Sequence, residues 1–300
     1  MDVSLEQLRT LAAVVDEGTF DAASVALGVT PSAVSQRIKA LEVACGRVLL
    51  TRSKPVRPTP PGQAMLRLAR SSTQLADDTA RELGLGTSRS HTRLPIAVNA
   101  DSMATWFLPA LARLPARHAA VFDIHVDDQD RTDELFSSES VLAAVTSVAR
   151  PVPGCSVTPL GTMRYFACAA VDFAEAHFPD GLTPSALATA PVVVFNRKDS
   201  LQHRFLRELT GLDLDPPAHH LPASADFLRG IQLGLGWGLV PVLQWQALRD
   251  PSSLSALAPD RPVDVPLYWQ VWTLDSPALQ ALTSVVTSAA ARSLTPMPAD

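Results

Sequence analysis

The chain has 300 residues, 47% of them hydrophobic, and a formal net charge of −5 at pH 7. This length suggests two or three domains, and the hydrophobic content is sufficient for packed cores. No apolar run approaches the roughly 18 residues of a membrane span, so we expect no transmembrane helix. The N-terminus has acidic residues where a signal peptide needs a basic region and an apolar core, and we therefore expect a cytoplasmic protein.

The cysteine and histidine patterns favour neither a disulfide framework nor a metal site. Cys45, Cys155 and Cys168 are far apart and odd in number, and their spacing fits no zinc site. His219 and His220 are adjacent, so on a strand they would point to opposite faces. The sequence also lacks a G-x-S-x-G elbow, a Walker loop and an HExxH motif. We therefore predict no catalytic residues, no metal and no cofactor, and a protein that is not an enzyme.

The pattern over residues 4–17 predicts a first helix, and residues 19–41 predict two shorter helices joined at Gly28, a helix-turn-helix. Thr30 is the expected N-cap of the second of these and Pro31 its first residue, where the missing N–H costs nothing. At about 100° per residue, one stripe is apolar and should pack inward: Val34, Ile38 and Leu41. The opposite stripe is polar and suits base edges and phosphates: Ser32, Ser35, Gln36 and Lys39. An ordinary amphipathic helix has the same periodicity, so periodicity alone leaves both interpretations open.

The local charge favours the DNA-binding interpretation. Between residues 30 and 60, six basic side chains stand against one acidic side chain, Glu42, on a chain that is anionic as a whole. Such a patch is what phosphate contacts require. The basic, proline-rich segment 49–59 suits a wing that grips phosphates, although a solvated loop has the same composition. The predicted DNA contacts are Thr30, Pro31, Ser32, Ser35, Gln36, Arg37, Lys39, Arg52, Lys54 and Arg57.

A long helix is expected from Pro60 to about Leu85, with Thr59 as its cap. Along it, apolar or small residues recur at a 3-4-3-4-3 spacing, which is typical of a coiled-coil seam. Such a stripe must be buried on its own domain or on a partner chain, and the heptad regularity favours a partner. We therefore predict a dimer. The predicted dimerisation residues are Leu66, Ala69, Thr73, Ala76, Ala80 and Leu83.

After a linker-like segment at residues 84–93, the pattern changes to alternating strands and helices. This rhythm indicates βαβ units and a parallel sheet. Strands are predicted at 94–99, 121–126, 141–146, 157–160, 164–169, 192–195, 237–240 and 267–272. Helices are predicted at 105–114, near 135, and at 201–209, 227–233 and 277–293.

In such sheets ligands bind outside the carboxyl ends of the strands, near helix N-termini. Residues 99–102 lie at such a point. Helix N-terminal amides and the Ser102 hydroxyl would hold a carboxylate, whereas Asp101 would favour a cation, and an amino acid zwitterion needs both. Alternatively, Asp101 or Ser102 merely caps the helix.

An acidic cluster at residues 127–130 would also favour a cationic ligand, although a solvated acidic loop would carry the same residues. The wider rim of the expected cleft includes residues 196–199 and Ser224. The predicted effector-binding residues are Asn99, Asp101, Ser102, Met103, Asp127, Asp128, Thr146, Asn196, Asp226 and Trp269.

A set of residues spread over about the first 65 positions forms a recognisable motif: Leu8–Ala13, Gly18–Phe20, Ala22-Ala23, Leu27, Val29–Gln36, Ile38, Leu41-Glu42, Leu49 and Arg52. Together they resemble the winged helix-turn-helix of the LysR-type transcriptional regulators. Two departures are the lack of an aromatic residue near Leu50, and Thr59-Pro60-Pro61-Gly62 in place of Thr-x-Ala-Gly.

The resemblance implies a multidomain α/β protein that binds double-stranded promoter DNA, forms a dimer and then a tetramer, and contacts RNA polymerase but no membrane. The implied order is a winged helix-turn-helix domain at 1–59, a dimerisation helix at 60–86 and a hinge linker at 87–93. A two-lobed α/β effector domain, like that of type 2 periplasmic binding proteins, would follow. Its first lobe would hold residues 94–161 and 266–300, and its second lobe residues 162–265.

Segments 97–107, 127–130, 153–155 and 266–270 narrow the resemblance to the ArgP/LysG subgroup. Members of this subgroup sense basic amino acids such as lysine and arginine and control a basic amino acid exporter. The effector expected from this resemblance is L-lysine or L-arginine, which agrees with the acidic residues at the expected cleft. Two alternatives stay open: a LysR-type regulator of another pathway with a different effector, and an architectural or replication-associated DNA-binding protein.

Overall fold

The computed structural model describes residues 3–51, 53–83, 92–118, 120–126, 141–274 and 276–297. Some predictions concern residues outside these ranges: the DNA contact of Arg52, the effector contacts of Asp127 and Asp128, the helix near residue 135 and most of the linker. In the described ranges, no helix is long and apolar enough to cross a membrane.

The N-terminal unit consists of three helices and a small two-stranded wing, and the predicted helix-turn-helix is confirmed. Each helix begins where a hydroxyl accepts a backbone N–H from the first turn, at Ser4, Thr19 and Thr30. Gly28 ends the second helix in the left-handed conformation that the tight turn needs. Its elements are α1 (Leu5–Glu17), α2 (Phe20–Leu27), α3 (Pro31–Cys45), β1 (Leu50–Thr51) and β2 (Arg57–Pro58), and the long helix α4 (Pro60–Glu82) follows.

The first turns of α4 pack on α1 inside the core of this unit. Leu66 and Ala69 are fully buried there, in the same cluster as Leu11. The prediction that Leu66 and Ala69 contact a partner chain is therefore not supported, because both are buried against α1 of their own chain. Farther along the same stripe, Thr73, Ala76 and Ala80 are half-buried and Leu83 is exposed.

The rest of the chain is organised around one large mixed sheet. Its strand order is β10-β6-β11-β5-β3-β4, with β9 also paired to β6. β3 is parallel to β4 and β5, whereas β11 is antiparallel to β5 and β6. The predicted parallel sheet is thus correct for one end only. The strands are β3 (Thr92–Val98), β4 (Ala120–Val126), β5 (Ala143–Thr146), β6 (Cys155–Ala170), β7 (Val192–Val194), β8 (Ala218–His220), β9 (Gly238–Pro241), β10 (Leu254–Ala256) and β11 (Val263–Trp272).

Helices cover this sheet and complete two lobes. We call the elements around β3, β4 and β5 lobe one, and those around β7, β8, β9 and β10 lobe two. A helical segment at the carboxyl end of β3 is π-helical in its middle, at Met103–Phe107, and begins earlier than predicted, so Asp101 lies in its first turn. The helices are α5 (residues 100–111), α6 (Val171–His177), α7 (Pro184–Thr189), α8 (Leu201–Thr210), α9 (Ser224–Gln232), α10 (Val242–Gln246) and α11 (Pro277–Ser293).

The strands β6 and β11 run through both lobes as one antiparallel ladder from Val263–Tyr165 to Trp272–Cys155. The sequence predicts two short strands in place of β6, because Pro159 and Gly161 interrupt its apolar pattern. It also predicts a shorter β11 that begins at residue 267. Gly161 has a φ of +132°, and the chain that follows α11 crosses it so closely that a Cβ there would lie 2.8 Å from the Thr295 carbonyl oxygen. Thr162 and Thr295 exchange backbone hydrogen bonds at this crossing.

Replacing Gly161 by alanine should therefore destabilise the protein through this contact. Gly181→Ala is a matched control, because Gly181 also has a positive φ but no described atom lies within 4 Å of the position that its Cβ would take. We expect Gly161→Ala to lose about 1–3 kcal/mol more stability than Gly181→Ala, seen as a melting temperature several degrees lower. Equal losses in thermal melts of the two variants would show that the crossing tolerates a side chain.

Candidate functional site

The α3 helix has the two faces that its sequence predicts. Its N-cap hydroxyl, on Thr30, accepts the Ala33 N–H at 3.2 Å, and Pro31 follows as its first residue. The residues expected to face inward are buried: Val34, Ile38 and Leu41. Those expected to face DNA are exposed: Ser32, Ser35, Gln36 and Lys39. The polar face of α3 is thus exposed, as DNA binding requires, and its contact with DNA stays a prediction.

Arg37 differs from its neighbours on α3. Its guanidinium is ion-paired with the Glu6 carboxylate of α1, and its side chain is 25% exposed. Arg37 therefore links α3 to α1, and a DNA phosphate would have to compete with the Glu6 carboxylate for the Arg37 guanidinium. Lys54 and Arg57 of the wing are exposed, as phosphate contacts require.

Glu42 and Gly62 anchor the wing, a role that sequence reasoning did not assign. The Glu42 carboxylate accepts the Leu49 N–H at 2.8 Å, which ties the start of the wing to α3. At Gly62 a Cβ would lie 1.8 Å from the Leu49 carbonyl oxygen, so only glycine lets α4 approach this closely. The basic wing is thus held between α3 and α4.

A cavity of about 480 Å³ lies between the lobes at the carboxyl end of β3. Its walls come from the start of α5 in lobe one, from the segment between β7 and the middle of α8 in lobe two, and from β6 and β11. We call it the first cavity. Its position is the one expected for a ligand in a sheet of this type.

Asp101, in the first turn of α5, joins the two lobes across this cavity. Its carboxylate accepts hydrogen bonds from the Tyr165 hydroxyl at 2.9 Å and the Ser224 hydroxyl at 3.0 Å. Burial raises the pKa of Asp101, the two hydrogen bonds lower it, and the nearby Asp199 carboxylate raises it further. The side chain is thus not a simple helix cap. It is a desolvated acid held by neutral donors, and a cation would stabilise its charged form.

Asp199 lies on the lobe-two wall, in the loop that enters α8. Its carboxylate accepts the Phe195 N–H at 3.2 Å and the Leu201 N–H at 3.0 Å. Asn196 accepts the Lys198 N–H at 2.7 Å and so shapes this loop rather than lining the cavity. Its predicted place in the effector site is therefore not supported, whereas the loop does bring a second carboxylate to the wall.

Asn99, between β3 and α5, supplies polar atoms on the lobe-one wall. It is 3% exposed, lines the cavity, and neither its amide oxygen nor its amide nitrogen has a hydrogen-bond partner within the described residues. A buried amide without partners is costly unless a ligand or water satisfies it. Ser102 is fully buried and its hydroxyl also lacks a partner there, but it lies outside the cavity lining.

Four further predicted effector contacts do not line the cavity. Trp269 is fully buried, packs on Phe107, and donates its indole N–H to the Thr283 hydroxyl at 3.0 Å, because its position on β11 faces α11. Thr146 is also fully buried, and its hydroxyl accepts the Val148 N–H at 3.1 Å. Met103 packs on the apolar core, and Asp226 points to solvent from α9. The structure therefore does not support these four predicted contacts.

Sequence reasoning missed several polar residues of the cavity wall. Tyr165 comes from the middle of β6, and only the long strand pairing brings it to Asp101. Asp264 lines the wall but is bound by Arg164 in a two-pronged ion pair at 2.8 and 2.7 Å. The other missed polar residues are Ser147, Ser200, Gln202, Arg204 and Glu208.

A basic helix-turn-helix with an exposed reading face, followed by two lobes around a polar cavity, defines a ligand-responsive DNA-binding regulator. Residues 5–63 match the family model described as the bacterial regulatory helix-turn-helix protein, lysR family. Residues 87–291 match the LysR substrate binding domain. The chain therefore belongs to the LysR family of transcriptional regulators.

Relatives and a solved structure agree with this placement. The transcriptional regulator LysG of Mycobacterium tuberculosis is 44% identical over 285 residues, which cover 95% of this chain and 92% of that protein. The lysine export transcriptional regulatory protein LysG of Corynebacterium glutamicum is 38% identical over 294 residues, covering 97% and 99%. A structure of full-length C. glutamicum LysG with the bound effector arginine has a TM-score of 0.80 at 37% identity, covering 98% of this chain and 100% of that one.

The raised pKa of Asp101 predicts how stability depends on pH. An acid whose pKa lies above the ordinary 3.8 binds its proton more tightly in the folded state, so stability falls as pH rises through the folded-state pKa. Asp101→Asn removes this loss, and we expect its ligand-free melting temperature to exceed that of the unsubstituted protein near pH 7 but not near pH 4. Asp226→Asn, at an exposed position, is the control and should change neither. A lower melting temperature for Asp101→Asn near pH 7 would contradict this account.

Proposed function

We propose that this LysR-family regulator binds a basic amino acid, L-lysine or L-arginine, in the first cavity and thereby switches the activity of a promoter. The observation that carries the proposal is the Asp101 carboxylate, which lies in the cavity beside Asp199 with only neutral hydrogen-bond donors. A ligand cation would supply the opposite charge that this pair lacks.

The charge of the cavity wall supports a cationic ligand. Of the four acidic residues on the wall, Asp264 is neutralised by Arg164, and Asp101, Asp199 and Glu208 form no ion pair with any residue the structure describes. Lys198 and Arg204 are the basic residues on the wall. The three unpaired carboxylates exceed the two cations by one negative charge. The side chain of lysine or arginine would supply one positive charge to balance it.

The groups that would hold the ligand backbone lie at the start of α5. Asn99 offers an unpartnered amide donor and acceptor, and the backbone amides of the first helical turn favour a carboxylate. Asn99 and Asp101 are two residues apart, so an amino acid carboxylate and a cationic group would both find partners within a few ångströms.

The relatives point to the same ligand class. C. glutamicum LysG, at 37% identity, has arginine as its bound effector, and the protein of that name is described as a lysine export regulator. By extension, we infer that the target promoter belongs to an amino acid exporter gene. The effector specificity of this chain depends on its own wall residues, so it needs its own measurement.

The lobe-bridging hydrogen bond suggests how the ligand acts. Ser224 belongs to lobe two and Asp101 to lobe one. A cation that binds the Asp101 carboxylate would therefore also change a hydrogen bond between the lobes. A shift between the lobes would change the relative placement of paired DNA-binding units, and with it DNA bending and contact with RNA polymerase.

We expect the DNA-binding form to be a dimer that pairs into a tetramer on promoter DNA in the cytoplasm. Three leucines at residues 68–83, on α4 and directly after it, stay exposed: Leu68, Leu75 and Leu83, by 40%, 57% and 66%. Apolar side chains at this density on one long helix favour burial against a second copy. Paired α3 helices would then enter successive major grooves.

Calorimetric titration tests the effector proposal. The protein should bind L-arginine or L-lysine, and L-citrulline, which matches arginine in shape but has no side-chain charge, should bind at least about tenfold more weakly. Asp101→Asn should lower the affinity for the cationic ligands by about tenfold or more, since it removes the charge from the cavity. Asp226→Asn is the matched control and should bind as the unsubstituted protein does. Equal affinity for arginine, citrulline and leucine would remove the basic amino acid assignment.

Mobility shifts test the reading face of α3. Gln36→Ala should weaken binding to the cognate promoter by about 1–3 kcal/mol while leaving binding to random DNA of the same length nearly unchanged, because an exposed amide there can pair with a base edge. Lys39→Ala should weaken binding to both DNAs, since a phosphate contact carries no sequence information. A uniform loss in Gln36→Ala would show that Gln36 touches no base.

A further inference from the structure

A second cavity of about 480 Å³ lies between α5 and α11 on one side and α9 and α10 on the other. It therefore also lies between elements of lobe one and lobe two. It shares no lining residue with the first cavity. We call it the second cavity, and its chemistry differs from that of the first.

Among the residues that the structure describes, the lining of the second cavity is mainly apolar, with two cations and no acid. Pro109, Leu228, Leu243 and Leu248 are among its apolar lining residues. Its charged lining residues are Arg113 and Arg292, and neither guanidinium forms an ion pair with any part of the chain that the structure describes. Two free cations beside an apolar wall fit an amphiphilic anion.

Trp106 supplies an independent sign of a missing partner. Its side chain lines this cavity and is 3% exposed, yet its indole N–H has no hydrogen-bond partner among the described residues. A buried indole N–H normally finds an acceptor, and leaving it unpaired costs free energy. That nitrogen has almost no accessible surface here, so a ligand oxygen would satisfy it once the side chains that cover it move aside.

We propose that the second cavity is a binding site for a small apolar carboxylate. The carboxylate would be held by Arg113, Arg292 and the Trp106 N–H, and the hydrocarbon part would pack on the leucines of α9 and α10. The site is separate from the one proposed for the basic amino acid, and it selects the opposite charge.

Gln244 links the second cavity to the first. It lines the second cavity, and its side-chain amide donates to the Ser224 hydroxyl, which in turn donates to Asp101. A ligand that moves Gln244 would therefore alter the hydrogen bonding of Asp101. Because such coupling is reciprocal, ligand in either cavity should change the affinity of the other.

The test is calorimetric titration of the full-length protein with 3-phenylpropionate. Saturable binding is expected, and the uncharged 3-phenylpropanamide should bind at least about tenfold more weakly. The double variant Arg113→Gln, Arg292→Gln should lose at least about tenfold in affinity for 3-phenylpropionate. The matched double variant Arg229→Gln, Arg249→Gln changes the net charge equally at exposed positions outside the lining and should bind as before.

Asp101→Asn separates the two cavities, because it should lower the affinity for arginine about tenfold or more, but the affinity for 3-phenylpropionate by no more than the roughly threefold that the link through Gln244 carries. Any of three results would overturn the second site: no saturable binding of 3-phenylpropionate, equal binding of the amide, or loss of 3-phenylpropionate binding in Asp101→Asn. These outcomes do not depend on whether arginine binds, so failure of the proposed function is seen separately. Saturating 3-phenylpropionate should change the affinity for L-arginine at least about threefold, and an unchanged affinity would overturn the link through Gln244.

Discussion

The antiparallel ladder between β6 and β11 is the constraint on which the effector part of the chain depends. Both strands pass through the two lobes, so the lobes share one hydrogen-bonded sheet instead of being joined by flexible segments. Relative motion of the lobes must therefore bend this ladder. The places that can yield are the register shift between Leu267 and Tyr268, and Gly161, where the chain after α11 crosses. A stiff ladder with one irregular point favours small changes of lobe angle over separation of the lobes.

Because the ladder fixes the lobes face to face, it also sets which polar groups are buried between them. Asp101 receives its hydrogen bonds from a residue of β6 and a residue of α9, so its environment depends on both lobes at once. Its burial raises its pKa, and Asn99 beside it is buried without partners in the described chain. Such groups lower the stability of the ligand-free fold. Their concentration at the cavity wall is what a binding site for a charged ligand requires, since the ligand supplies the missing partners.

The helix-turn-helix and Asp101 could be predicted from sequence because their signals are local. A capped helix with an apolar stripe shows which face of α3 is buried, and the end of a strand shows where Asp101 must lie. The other residues around Asp101 could not be predicted, because they come from parts of the chain far away in sequence. Tyr165 and Ser224 are 64 and 123 residues from Asp101, and nothing local connects them. The position of Trp269 could not be predicted for a related reason. Alternation along β11 separates the two faces of the strand but does not show which face lies toward the cavity. For Leu66 and Ala69, a stripe shows that burial is needed, but not which surface provides it.

The burial of Leu66 and Ala69 also bears on how a signal reaches DNA. These residues lie in the same core as α1, and α1 is braced to α3 by the Glu6–Arg37 ion pair. The wing is tied to α3 through Glu42 and approaches α4 at Gly62. The first half of α4, the reading helix and the wing thus form one packed unit with little internal freedom. In the proposed regulator, a displacement delivered to α4 from the effector lobes would therefore be carried to α3 as a rigid-body movement. A small change of lobe angle would then alter where paired reading helices meet DNA without altering either helix.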